Sequence, residues 1–189
     1  MTSAFETFWR KGFQGAGLTE ILKQANLTKG ALYHHFPDKK SLGYAVVEEV
    51  MGKMMEEDWL RPIREAEDPL LGLEVTLQEN VERYGETLVQ LGCPINALAQ
   101  EMAPVDEGFR IRMYQLLERW RSEMSLALQK GRELGIVREE IDPHRTSVFI
   151  LATLEGCAGL ARNTQRLDLL VTCAAGLTDY FRSLRTPHS

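Results

Sequence analysis

LTEILKQANLTKGALYHHF, residues 18–36 of this 189-residue chain, decides how the rest is read. Ile21, Leu22 and Ala25 recur at helical spacing, and Leu32 and Phe36 stand four apart, so two short helices are predicted with their apolar sides on one core. Between them Asn26 tolerates the left-handed backbone that a tight turn uses, Leu27 is expected to join the inward face, and Thr28 can cap the second helix. That is a helix-turn-helix arrangement. Thr28, Lys29, Gly30, Ala31, Tyr33 and His34 are left partly or wholly outward on the second helix. A helix entering a groove about 12 Å wide needs small residues near its N-terminal end and donors that reach base edges or phosphates. Just downstream, Asp38, Lys39, Lys40 and Ser41 open another helix whose N–H groups and two lysines suit a phosphate.

The net charge of −5 would argue against a polyanionic partner if it were evenly spread. It is not: residues 1–47 hold six Lys or Arg against three Asp or Glu, a balance of +3, which leaves −8 for the remainder. A basic head on an acidic body points to a localised anion-binding surface. With 15 Gly, 7 Pro and 3 Cys, the collagen-like, disordered and disulfide-scaffold classes are excluded. Cys93, Cys157 and Cys173 form no C-x-x-C pair and fit reduced thiols, and no apolar run approaches the roughly 18 residues of a membrane span. The opening MTSAFETFWRKGF lacks the order of a signal peptide, so the expected location is cytoplasmic, with no membrane partner.

Leucine appears 26 times against 17 for valine plus isoleucine, and strict alternation is rare, so an all-α fold is predicted. Gly12, Gly15 and Gly17 separate a first helix from the second. A fourth, long helix is expected from Asp38 through VVEEVMGKMMEEDWL to Pro62, and Pro69, Pro94, Pro104 and Pro143 sit near the starts of further segments. Between 107 and 135, Phe109, Met113, Leu116, Leu117, Trp120, Met124 and Leu128 form one buried stripe, with Arg and Glu opposite. The tail after Leu184, RTPHS, is expected to fray.

FWRKGFQGAGLTEILKQANLTKGALYHHFPDKKSLGYAVVEE resembles the DNA-binding domain of the TetR family of transcriptional regulators. The specific features are the aromatic-x-x-Gly-Phe element at Trp9 to Phe13, the core from Lys29 to Pro37, and the D-K-K-x-L start that follows; GCPINALAQEM, Gly92 to Met102, resembles the sixth helix of one regulator subgroup. The resemblance implies a TetR-like fold with a helix-turn-helix domain of three helices at 1–47, and an effector-binding and dimerisation domain of about six helices at 48–189. It implies a homodimer that sets two recognition helices into successive major grooves of a double-stranded operator, a repressor released by a small-molecule effector. Carried over by position, Lys29, Gly30 and Ala31 lie where the family reads bases, Thr28, Tyr33, His34 and Lys39 where it touches phosphate, and Thr19 where the preceding helix joins in. Two departures stand out. Family members usually carry a further stretch, often basic, before the first helix, where this sequence starts at Met1, and Ala16 and Gly17 stand where Ser or Thr often caps the second helix.

An effector would occupy a largely apolar cavity. The candidates on the fourth helix are Met51, Met54, Met55 and Trp59, with Val81, Tyr84, Leu98, Met102, Met113, Tyr114, Leu117 and Trp120 facing them; core packing is the alternative reading of each. For the dimer, in which the family pairs its last two helices, the candidates are Leu151, Ala152, Gly156 and Gly159, with Leu170, Ala174, Gly176, Tyr180 and Phe181; an intrachain contact is the alternative. Cys93, between Gly92 and Pro94, reads either as an activated thiol or as a buried structural one. No cofactor or metal is implied: His34 and His35 are splayed by about 100° on a helix, His144 and His188 are isolated, and no H-E-x-x-H occurs. An enzyme is therefore not expected. The remaining rival is a TetR-like ligand-binding or protein-interaction module without operator binding.

Overall fold

The computed structural model describes residues 1–187. Helices α1 (Thr2–Gly15), α2 (Leu18–Ala25) and α3 (Lys29–His35) come first. Residues 39–65 make α4, in which Lys39–Ala45, Gly52–Met55 and Arg61–Glu65 alternate with two π-helical turns, Val46–Met51 and Glu56–Leu60. Then follow α5 (Pro69–Leu91), α6 (Pro94–Met102), α7 (Glu107–Glu133), α8 (Pro143–Thr164) and α9 (Leu167–Ser183). No strand occurs among the described residues, only one isolated antiparallel bridge between Val137 and Arg185.

The helix ends follow local chemistry. Asn26 is left-handed (φ 51°, ψ 44°) and closes α2, and the Thr28 hydroxyl accepts the Ala31 N–H to start α3. Asp38 and Ser41 cap α4 reciprocally, with the Asp38 carboxylate accepting the Ser41 N–H at 2.7 Å. Gly17 begins α2 with no side-chain cap.

The chain divides into two compact units, Met1–Met54 with Pro94–Leu116, and Met55–Cys93 with the residues from Leu117 onward. In the first, α1 packs on α2, α6 and the Val46–Met51 turn of α4. Phe8, Phe13, Ile21, Leu32, Leu42 and Phe109 are buried there, with the Phe13 and Phe109 rings edge to face at 4.7 Å. In the second, α5, α8 and α9 pack on one another, and Leu70, Leu73, Ile150 and Phe181 are at most 1% exposed. Burying side chains of that size is the main favourable contribution, about 1.5–3 kcal/mol each.

Three local expectations are corrected. Leu27 is 51% exposed, because the left-handed turn at Asn26 carries it off the inward face. The fourth helix does not stop at Pro62 but continues to Glu65. A proline at 62 denies the Asp58 carbonyl its helical donor; the buried Asn80 replaces it, donating from Nδ2 to that carbonyl at 2.8 Å, and the Glu56–Leu60 π turn precedes the proline. The tail does not fray at Leu184 to Thr186. Leu184 is 2% exposed, the Thr186 N–H donates to the Ile136 carbonyl, and Arg185 pairs with Asp68 at 2.7 Å. His188 and Ser189 lie outside the described residues.

Candidate nucleic-acid interface

A seven-residue helix cannot hold itself together by its own ladder; α3 stands because Thr28 caps it and Leu32, 7% exposed, anchors it in the core. Around that anchor, Thr28, Lys29, Gly30, Ala31, Tyr33 and His34 are all exposed, and Thr19 is exposed on α2. The Lys29 ammonium lies 5.7 Å from the Tyr33 ring centroid, and a Cβ at Gly30 would meet nothing within 4 Å. The outer side of α3 is thus short side chains flanked by donors.

The two lysines of α4 differ from the sequence picture of a shared phosphate clamp. Lys39 is only partly exposed: its ammonium lies 4.8 Å from the Phe13 ring centroid and donates to the Gln14 carbonyl at 3.3 Å. Burial lowers its pKa, and the Glu101 charge opposes that shift. Lys40 is paired with Asp106 at 2.9 Å.

The sequence reading did not single out Asp106, which contacts Lys40 and Tyr44. One oxygen accepts the Tyr44 hydroxyl at 2.6 Å and the Phe109 N–H at 3.0 Å, while the other holds Lys40, so a single carboxylate caps α7 and ties down α4. Arg112 completes the cluster, 2.8 Å from Glu48 with its guanidinium 4.2 Å from the Tyr44 ring centroid. The Tyr44 hydroxyl, then Lys40 and the Phe109 N–H, hold the Asp106 carboxyl below the ordinary carboxylate range. A depressed folded-state pKa means stabilisation that is present above the unfolded value, near 3.9, and is lost as pH falls below it. Asp106→Asn is therefore expected to lower the melting temperature at pH 7 and to flatten its decline between about pH 4 and pH 2, measured by circular dichroism; an unchanged acid limb would contradict this.

Glu101 was also missed, although its helix lies within the quoted GCPINALAQEM segment. Gly12 adopts φ 74°, ψ 162° and breaks the ladder of α1. The freed Phe13 and Gln14 N–H groups both donate to the Glu101 carboxylate, each at 2.8 Å. A Cβ at Gly12 would stand 2.9 Å from a Glu101 oxygen and would need a backbone that side-chain-bearing residues seldom adopt. The Gly-Phe element thus has a tertiary reason.

The effector candidates divide between the two units. Met51, Met54, Leu98, Met102 and Met113 belong to the first, and Met55, Trp59, Val81, Tyr84, Leu117 and Trp120 to the second. In the second unit the Trp59 and Trp120 rings lie 4.8 Å apart, and the Tyr84 hydroxyl donates to Asp58 at 2.9 Å. Tyr114 is 63% exposed and so does not belong among enclosed residues: it follows the buried Met113 in α7, a step of about 100° that turns it outward.

Among the dimer candidates, Leu170 and Phe181 are core residues at 5% and 1% exposure, turned inward by the same helical period that leaves their neighbours out. Leu151, Gly159, Ala174 and Tyr180 are half-buried; Ala152, Gly156 and Gly176 are exposed. Phe149, which packs on Tyr180 at 4.9 Å, and Val148, Leu160 and Val171, none of them among those candidates, are large, apolar and exposed. Cys93, Cys157 and Cys173 form no disulfide. Burial and the neighbouring Cys173 push the Cys157 thiol up to about 12, which disfavours its nucleophilic form.

Residues 73–174 match the model of the tetracyclin repressor-like C-terminal domain, and residues 1–46 match that of bacterial regulatory proteins of the tetR family. The chain belongs to the TetR family. It is a DNA-binding transcriptional regulator and not an enzyme. Among its TetR-family relatives are the HTH-type transcriptional repressor DhaR of Mycobacterium sp. strain GP1, 24% identical over 88% of this chain and 84% of that protein. Another is the transcriptional regulator AcuR of Cereibacter sphaeroides, 26% identical over 89% of this chain and 77% of that protein. A TetR regulator of Chloroflexus aurantiacus, solved by crystallography, superposes with a TM-score of 0.85 at 25% identity, covering 97% of this chain and 92% of that one. No helix among the described residues is long and apolar enough to cross a membrane.

Proposed function

We propose that this TetR-family regulator is a homodimeric repressor that places two copies of α3 in successive major grooves of a near-palindromic operator and is released by a small-molecule effector. The observation that carries this reading is the outer side of α3, where Lys29, Gly30 and Ala31 face solvent as base-reading positions and Thr28, Tyr33 and His34 as phosphate contacts. Thr19 joins from α2, and Lys39 joins from the start of α4 with an ammonium already oriented by Phe13 and Gln14. The relatives DhaR and the Escherichia coli protein NemR are both named as transcriptional repressors.

Support for the dimer comes from α8 and α9. Val148, Phe149 and Leu160 on α8 and Val171 on α9 are 46–51% exposed, beside small exposed residues at Ala152, Gly156 and Gly176 where an added Cβ on either glycine meets open space. Large apolar groups left in water, with glycines that permit close helix approach, suit an isologous two-fold contact. Leu160→Glu is expected to convert the dimer to a folded monomer by light scattering; a dimer of unchanged mass would place the contact elsewhere.

Support for the effector comes from the Trp59 and Trp120 pair. Trp120 is 4% exposed, and its indole N–H has no hydrogen-bond acceptor among the described residues. Leaving a buried donor unpaired costs about 1–3 kcal/mol, which an oxygen of a bound molecule would recover. Any such molecule acts as an inducer only through unequal affinity for the DNA-competent and DNA-released dimers.

The test is selection of genomic fragments by the full-length chain. Enrichment of a near-palindromic sequence, with binding that falls steeply as salt rises, is the expected result. Retention without sequence enrichment would overturn the repressor reading, and the genes beside the enriched fragments would indicate the effector class.

A further inference from the structure

We infer that Glu101 is a positioning residue for operator binding: from α6, it closes the helix end that Gly12 opens in α1 and thereby sets the Phe13–Gln14 platform on which Lys39 rests. This inference rests on the operator reading above and adds a residue that touches no DNA.

The geometry is a relay of short steps. Both Glu101 oxygens are used, one on the Phe13 N–H and one on the Gln14 N–H, each at 2.8 Å. The same two residues then hold the lysine, Gln14 through its carbonyl at 3.3 Å from Nζ and Phe13 through its ring at 4.8 Å. Lys39 is the first residue of α4, joined to α3 by only Phe36, Pro37 and Asp38. The Phe13 ring also packs edge to face with Phe109 at 4.7 Å, and Gly43 of α4 lies so close that a Cβ there would stand 2.6 Å from both rings. The platform is therefore clamped on its apolar side by packing and on its polar side by one carboxylate.

Electrostatics select an acid at position 101. The break at Gly12 leaves two consecutive N–H groups without helical acceptors, and a carboxylate is the side chain that accepts both at once. Its charge also attracts the Lys39 ammonium, opposing the effect of burial on that group. Without Glu101 the two N–H groups turn to water, the Gly12 bend loses its only bidentate restraint among the described residues, and Lys39 loses both a fixed support and an attracting charge.

Amide hydrogen exchange and operator titration on the full-length chain test this. In Glu101→Ala the Phe13 and Gln14 amides should exchange about tenfold faster or more, the scale of losing a hydrogen bond to a charged group, while α8 and α9 amides keep wild-type protection. Glu101→Gln, which retains one acceptor oxygen and the side-chain volume, should fall between. Operator Kd should rise about tenfold in Glu101→Ala, and the slope of log affinity against log salt should shrink by about one phosphate contact. Lys39→Ala should do the same, and the double variant should lose little beyond either single one, as groups acting in series do. Unchanged exchange at Phe13 and Gln14, unchanged affinity in Glu101→Gln and Glu101→Ala alike, or fully additive losses would each overturn the proposal. Should the wild-type chain bind no operator, the operator reading fails, while the exchange result still decides whether Glu101 is the cap.

Discussion

Phe109→Ala is expected to lower the unfolding free energy of the chain by about 3–5 kcal/mol, the range for removing a fully buried aromatic side chain from a packed core. Phe109 is 0% exposed and meets two aromatic rings at once, Phe13 at 4.7 Å and Tyr44 at 4.9 Å, both edge to face. Pairs of that geometry add about 0.5–1.5 kcal/mol beyond the area they bury. Collapse cannot refill the space cheaply, because the wall next to it is Gly43, which has no side chain to move in. Urea denaturation checks this: the midpoint should fall with an unchanged slope. A loss below about 1 kcal/mol would mean that the three rings are not a shared core. Operator binding should weaken as well, since the Phe13 ring that Phe109 braces is the one beneath Lys39.

Lys29→Glu is expected to weaken operator binding by more than about a hundredfold, at least about 2.7 kcal/mol. Losing one good base contact costs about 1–3 kcal/mol, and an anion turned toward phosphates adds repulsion to that loss. Protein stability should hardly change. Lys29 is exposed at the first position of α3, where an acidic side chain interacts favourably with the helix dipole. Lost binding with an unchanged melting temperature would therefore report on the interface and not on unfolding. Lys29→Ala should relax base preference, and Lys39→Ala should weaken all sequences alike. Fluorescence anisotropy on the selected operator and on scrambled duplexes separates these outcomes; equal affinity for Lys29→Glu and wild type would reject α3 as the reading helix.

Much of the recognition head was legible because its determinants are local. Asn26 at a turn, Thr28 three residues before the N–H it accepts, and Asp38 with Ser41 are contacts within one turn of helix, and a sequence displays them directly. Leu27 misled because an apolar residue beside a turn carries no mark of which way the backbone leaves it, and its direction depends on the left-handed Asn26. Pro62 misled for a different reason: a proline ends a helix unless something else satisfies the stranded carbonyl, and Asn80 does so from 22 residues away. On α9, Leu170 and Phe181 looked as eligible for a dimer contact as Val171 does, since composition does not say which side of a helix its own core has taken.

Composition and helical period by themselves determined an all-helical chain, and the motif from Lys29 to Pro37 carried the resemblance to the TetR family, because each depends on spacing along a single element. Tertiary structure alone decided that Glu101 answers the Phe13 N–H freed by the break at Gly12 from 88 residues away and that Asp106 answers Lys40 from 66 residues away. A glycine states only that a bend is permitted, and an acid only that it will accept a proton donor. Which donor it meets is a matter of packing, and packing brings together residues whose distance along the chain carries no trace of the contact.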